Sequence, residues 1–134
     1  MKYLLILTLL TSSAQAFELN NIVRAAEIKY ELPPGLLAAM VQVESAGNHK
    51  AYVKQDGASR KPSHGLLQVQ LASARHVGFR GTVKELMRPE VNVEYGAAYL
   101  AWLLKESKGD YALALSCYNT GPYSTTCLNK RYFG

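Results

Sequence analysis

A mainly α domain of short packed helices, interrupted by one long loop, is what this sequence predicts. Three observations carry that reading. Apolar residues recur at helical spacing in several separate stretches. Pro33-Pro34 and Gly121-Pro122 punctuate those stretches. From Gly47 to His64 the helical pattern gives way to turn formers: Asn48, Asp56-Gly57, Ser59, Pro62 and Ser63. That stretch reads as a loop or a small β-excursion, and loops of this length in a compact domain are often functional.

The N-terminus reads as an export signal. Lys2 supplies the positive start, Leu4 to Leu10 the short apolar core, and Ala14-Gln15-Ala16 an A-x-A cleavage site. The apolar run is shorter than the ~20 residues a membrane span requires. The alternative is an uncleaved N-terminal anchor. Cleavage after Ala16 leaves residues 17–134, enough for one domain with one core. No linker, charge block or repeat divides it. Losing Lys2 takes the formal charge from +5 to +4. That modest basic excess suits an acidic polymer such as a carboxylate-bearing cell wall, and equally suits simple solubility. Lys and Arg are scattered rather than striped, so no nucleic-acid footprint is present.

The remaining elements follow in order. Leu19 to Tyr30 carries Leu19, Ile22, Val23 and Ala26 on one face with charges opposite, an amphipathic helix. Pro33-Pro34 ends it and starts a second helix that runs to about Ala46. After the long loop come Gly65 to Val69 and a short helix from Leu71 to Val77, ended by Gly78. Thr82-Val83-Lys84-Glu85 has capping-box spacing. Pro89 starts the longest helix, to about Ser107, with Val91, Tyr95, Ala98 and Trp102 on one face. Asp110 caps the last helix, Tyr111 to Asn119.

Two cysteines, Cys117 and Cys127, remain in the exported chain. An oxidising compartment makes them a disulfide candidate closing a short C-terminal loop. Two free thiols, or a catalytic cysteine paired with a histidine, are the competing readings. His49, His64 and His76 lack ligand-pair spacing, so no metal site and no cofactor is expected.

Glu44 stands apart from the other acids. Leu37, Met40, Val41 and Glu44 lie at i, i+3, i+4 and i+7, so a carboxylate ends an apolar stripe. Lost hydration and the negative end of the helix dipole both favour its protonated form. A protonated carboxyl near neutral pH is what acid-catalysed acetal cleavage needs. The plainer reading is a glutamate whose head escapes to solvent at a frayed helix end.

Three further segments bear on that choice. Ser63-His64-Gly65-Leu66-Leu67-Gln68 offers a polar loop, a glycine and an amide that can both donate and accept. Asn92-Val93-Glu94-Tyr95-Gly96-Ala97-Ala98-Tyr99-Leu100 lies on the long helix, and Cys117-Tyr118-Asn119-Thr120-Gly121 sets a phenol and an amide at a helix end. With Glu44-Ser45, and in this order, these segments resemble the soluble lytic transglycosylase (SLT) family, the goose-lysozyme-like branch of the lysozyme superfamily. The resemblance spans roughly Leu32 to Pro122.

It implies a lysozyme-like single domain with a long active-site loop. It also implies a periplasmic or extracellular enzyme that cleaves the MurNAc-β-1,4-GlcNAc bond of peptidoglycan and forms a 1,6-anhydro product. Glu44 would be the catalytic acid, with Ser63, Gly65, Gln68, Tyr118 and Asn119 lining the substrate cleft. Gln68 and Asn119 would bind sugar amides or hydroxyls, and Tyr118 would orient Glu44 or the N-acetyl group. Departures exist: Leu67 stands where methionine is usual, Cys117 where alanine is usual, and Val69-Gln70-Leu71 lacks the common proline. The loop from Asn48 to Pro62 resembles small members associated with secretion, conjugation or pilus machines. Asp56 in that loop is either a turn former or a second carboxylate. The latter belongs to the rival reading of a lysozyme-type hydrolase; a non-catalytic wall-binding module is the rival of another class.

Overall fold

The computed structural model describes residues 2–56, 61–118 and 120, with the backbone alone for 2–12 and for Gln55 and Asp56. Among these residues six helices and one hairpin follow one another: α1 Lys2–Lys29, α2 Leu36–Ser45, β1 Tyr52–Asp56, β2 Lys61–His64, α3 Leu71–His76, α4 Val83–Leu86, α5 Pro89–Glu106 and α6 Tyr111–Tyr118. The mainly α expectation holds, and the long loop is the β-excursion. The expected cleavage point after Ala16 falls within α1. No described helix is long and apolar enough to cross a membrane.

Local chemistry places the ends of these elements. Pro89 opens α5 at a first-turn position where its missing N–H costs nothing. Thr82 and Glu85 form the expected capping box: the Thr82 hydroxyl accepts from the Glu85 amide at 3.2 Å, and the Thr82 amide donates back to the Glu85 carboxylate. That backbone donation holds the Glu85 carboxyl below its ordinary range. Asp110 caps α6 by accepting from the Leu113 amide at 2.9 Å.

The hairpin is antiparallel, pairing Tyr52 with His64, Val53 with Ser63 and Asp56 with Lys61. Between the last two pairs β1 carries one residue more than β2, a bulge. Pro62, which has no N–H for the ladder, lies opposite that bulge.

The core gathers around α5. Val93, Ala97, Leu100 and Leu103 are buried there, with Leu37, Leu66, Leu67 and Leu86 packed from the other elements. This corrects the expected face of α5. Val91, Tyr95, Ala98 and Trp102 are half-buried along its rim, and the inward face is Asn92, Val93, Gly96, Ala97, Tyr99, Leu100 and Leu103. The helix is apolar on more than one side, so periodicity alone did not choose between its faces.

One polar side chain sits inside that face. Asn92 is fully buried; its Nδ2 donates to the His64 carbonyl at 2.8 Å and the Leu86 carbonyl at 2.9 Å. Its Oδ1 accepts from the Leu67 amide at 2.8 Å. Three backbone groups from the turn after β2 and the end of α4 are thereby satisfied by one residue. Asn92→Ala would leave the Leu67 amide and the Leu86 carbonyl unpaired in the core, while the His64 carbonyl keeps the Val69 amide at 2.9 Å, so urea denaturation should show a loss of about 2 kcal/mol or more. A loss under about 1 kcal/mol would mean that the turn does not depend on this residue.

Candidate active site

Pro33 and Pro34 break the chain after α1, and Gly35 turns it with a left-handed backbone, φ +88°. No side chain beside α2 caps its first amides. Glu27 of α1 does so from a distance. Its carboxylate accepts from the Gly35 amide at 3.0 Å and the Leu37 amide at 3.1 Å, and pairs with Arg24 at 3.3 Å. A negative charge at a helix N-terminus is favourable, and these donors satisfy a group that is only 2 % exposed. The sequence reading set charges opposite the apolar face of the first helix, and Glu27 departs from that pattern. Val23, Ala26 and Glu27, at i, i+3 and i+4, carried the same signal of an acid on an apolar stripe that singled out Glu44.

Leu37, Met40 and Val41 anchor the inner face of α2, and Glu44 follows them, half-buried in the last turn. The helix ends with Ala46 and Gly47 both left-handed. Two linked turns then lead into β1: the Asn48 amide donates to the Ser45 carbonyl, and the Ala51 amide to the Asn48 carbonyl.

Opposite Glu44 lies a clamped turn. Tyr118, buried at the end of α6, gives its one hydroxyl proton to the Leu67 carbonyl at 3.0 Å, while Asn92 holds the Leu67 amide. Burial pushes the Tyr118 phenol well above its ordinary range, and the charge of Glu44 pushes it further, which puts these two side chains in one electrostatic neighbourhood. The phenol thus acts first on the turn. Gly96 makes the junction possible, since a Cβ there would lie 2.7 Å from Leu67 Cδ1 and 3.0 Å from the Tyr118 hydroxyl.

Gly65 takes φ +74°, and a Cβ on it would meet Asn92 Nδ2 at 2.5 Å, so the close approach it permits is to the protein's own amide. Gln68 adopts a left-handed backbone, φ +47°, uncommon for a side chain of its size. Its Nε2 donates to the Gly65 carbonyl at 2.9 Å and the Ala51 carbonyl at 3.2 Å. Its Oε1, buried, has no hydrogen-bond partner among the described residues. The nitrogen is spent on holding the turn, and the oxygen is the atom left to accept from a ligand. Ser63 is fully buried on β2, opposite Val53.

The structure therefore brings Glu44, Gly65, Gln68 and Tyr118 to one place, with Ser63 beside them on β2. Asn119 and Cys127 lie outside the described residues; Cys117 is buried on α6. Asp56 ends β1, its backbone opposite Lys61 at the tip of the hairpin. Sequence reasoning did not single out Glu27, nor the structural role of Asn92.

A cavity of about 550 Å³ lies elsewhere, between Gln15, Leu19 and Ile22 of α1 and Gln42, His49 and Leu66. Neither Glu44, Gln68 nor Tyr118 lines it, and part of its wall belongs to the segment expected to be removed. The convergence of polar groups at Glu44, rather than cavity size, marks the candidate site.

The sequence profile of the Transglycosylase SLT domain matches residues 21–132. The chain belongs to this family. Among similar proteins are the endo-type membrane-bound lytic murein transglycosylases A of Salmonella typhimurium (strain LT2) and Salmonella paratyphi B. Each is 32 % identical over 96 residues, covering 66 % of this chain and 44 % of the relative. The SLT chain thus spans under half the length of these curated relatives. An X-ray structure of an inactive Glu-to-Gln variant of the lytic transglycosylase Slt from Pseudomonas aeruginosa superposes with a TM-score of 0.64. It is 23 % identical and covers 76 % of this chain and 16 % of that one. The fold is therefore that of the lysozyme-like SLT domain.

His64 gives this site a measurable pH dependence. Burial lowers its imidazole below the ordinary value, and its Nδ1 has no hydrogen-bond partner among the described residues. The unfolded chain takes up the proton near about pH 6.5, while the folded chain resists it. Stability is therefore undiminished by this group above that pH, and is lost as pH falls from about 6.5 toward the lower folded value. Urea denaturation at about pH 7.5 and about pH 5 should show wild type losing more stability than His64→Gln. Equal losses in the two proteins would mean that His64 is not buried as a neutral group.

Proposed function

We propose that this chain is a peptidoglycan lytic transglycosylase that cleaves the MurNAc-β-1,4-GlcNAc bond with Glu44 as its single acid/base. The observation that carries the reading is a half-buried carboxylate at the end of α2, in the electrostatic neighbourhood of the Tyr118–Leu67 clamp that also holds Gln68. Family membership supports it, as does the inactivity of the Slt variant in which a glutamate is replaced by glutamine.

In this mechanism protonated Glu44 donates to the glycosidic oxygen as the bond to C1 breaks through an oxocarbenium-like state. The resulting carboxylate takes the proton from the C6 hydroxyl of the same muramoyl ring. That oxygen attacks C1 and closes the 1,6-anhydro ring, so no water is consumed. The nucleophile is tethered to its target, and proximity stands in for a second carboxylate. Gln68 Oε1 accepts from a sugar hydroxyl or acetamido N–H, and Tyr118 keeps the turn in register with Glu44.

The test is mass spectrometry of muropeptides released from purified sacculi by wild type and by Glu44→Gln. Wild type should release anhydro-muropeptides and the variant at least about 100-fold less. Hydrated products would point instead to a lysozyme-type hydrolase, and no release by either protein to a wall-binding module. Export with cleavage after Ala16 is part of this proposal. Recovery of the uncleaved chain as the only cellular form would contradict it. Service to a secretion, conjugation or pilus apparatus rests on the resemblance of loop 48–62 alone. A deletion strain that assembles every such apparatus normally would contradict that part.

A further inference from the structure

We propose that Tyr52 forms a stacking wall of the same cleft and takes the apolar face of an N-acetylhexosamine ring of the glycan. The inference rests on the reading of this site as a peptidoglycan cleft and extends it to a residue outside the family's segments. Tyr52 opens β1 and lies directly opposite His64 in the hairpin register. Its ring is tilted over the His64 imidazole, with centroids 5.4 Å apart and planes at 37°. His64 is buried, whereas Tyr52 is 54 % exposed. One side of the ring thus rests on a fixed support while much of its surface meets water. A Tyr side chain held this way has little rotational freedom left to lose on binding.

Its place in the chain matters more than its exposure, since single exposed aromatics are ordinary. The residue before it, Ala51, offers the carbonyl that accepts from both the Gly65 amide at 2.8 Å and Gln68 Nε2 at 3.2 Å. Tyr52 therefore begins one residue from the group that orients Gln68. The segment facing it carries two buried polar atoms, Gln68 Oε1 and His64 Nδ1, that have no hydrogen-bond partner among the described residues. Buried polar atoms are rarely left unpaired without a functional reason. An aromatic wall beside a few orienting polar groups is the usual composition of a concave ligand site. The plain alternative is a tyrosine kept for strand propensity on a solvated hairpin face. It accounts for the exposure but not for the unpaired atoms on the facing segment.

The two readings separate in binding. The probe is tetra-N-acetylchitotetraose, titrated into the Glu44→Gln protein so that it is not consumed, with affinity and saturation transfer read by NMR. Adding Tyr52→Leu should weaken binding about tenfold, the factor that about 1.4 kcal/mol of ring contact is worth. It should also abolish saturation transfer to the C–H protons on one face of a sugar ring. Tyr52→Phe should stay within about twofold of the parent, because the ring rather than the hydroxyl makes the contact. Tyr52→Ile, whose branched side chain suits a strand, supplies a second ringless variant should leucine disturb the hairpin. Binding by a folded ringless variant as tight as the parent's would overturn the stacking wall and leave the cleft standing. Failure of the parent, with Tyr52 intact, to bind the probe would overturn both.

Discussion

Leu67 is gripped at both ends of its peptide units, and the candidate site is built on that grip. Asn92 of α5 accepts its amide proton, and Tyr118 of α6 donates to its carbonyl. Two helices far from the turn in sequence thereby fix it, which in turn fixes the left-handed Gln68 and leaves its oxygen unpaired among the described residues. The small residues around the clamp follow from it. Gly65 has no room for a side chain against Asn92, and Gly96 has none against Leu67 and the Tyr118 hydroxyl. A buried polar network of this kind is rigid when every member is satisfied and costly when one is lost.

The other wall of the site depends on a second buried polar group. α2 is short and lacks a side-chain cap of its own, so the Gly35 and Leu37 amides at its start depend on Glu27. The bond ties α2 to α1 at one end, and the apolar stripe Leu37, Met40 and Val41 ties it to the core along its length. Glu44 at the far end is therefore carried on a helix braced twice. Precise placement of an acid relative to the groups that hold its substrate is what rate depends on, and helices hold such groups better than loops do.

Elements whose determinants are local were legible in the sequence. Thr82 and Glu85, Pro89 and Asp110 act within four residues of themselves, and each sits where the spacing put it. Glu44 drew notice because a carboxylate on an apolar stripe breaks a pattern. The stripe alone left a solvent-exposed head as the plainer reading, and the resemblance of the other segments was needed to single it out. The role of Asn92 was not legible, although it lies in a recognised segment, because its partners in the turn are 25 and 28 residues away. The Tyr118–Leu67 bond spans 51 positions and was invisible for the same reason. Glu27 carried a readable signal, but the partners that set its role are backbone amides at the start of another helix, and no residue type announces those. The inward face of α5 was misread because a helix flanked on several sides is apolar around much of its surface.

The most direct test of this account is a crystal structure of the Glu44→Gln protein with a bound peptidoglycan glycan fragment. The account predicts a sugar between the end of α2 and the Ser63–Gln68 turn, with Gln68 Oε1 accepting a hydrogen bond from it and the Leu67 clamp unchanged. A glycan seated in the cavity beside α1, with Gln68 Oε1 still unpaired, would contradict it.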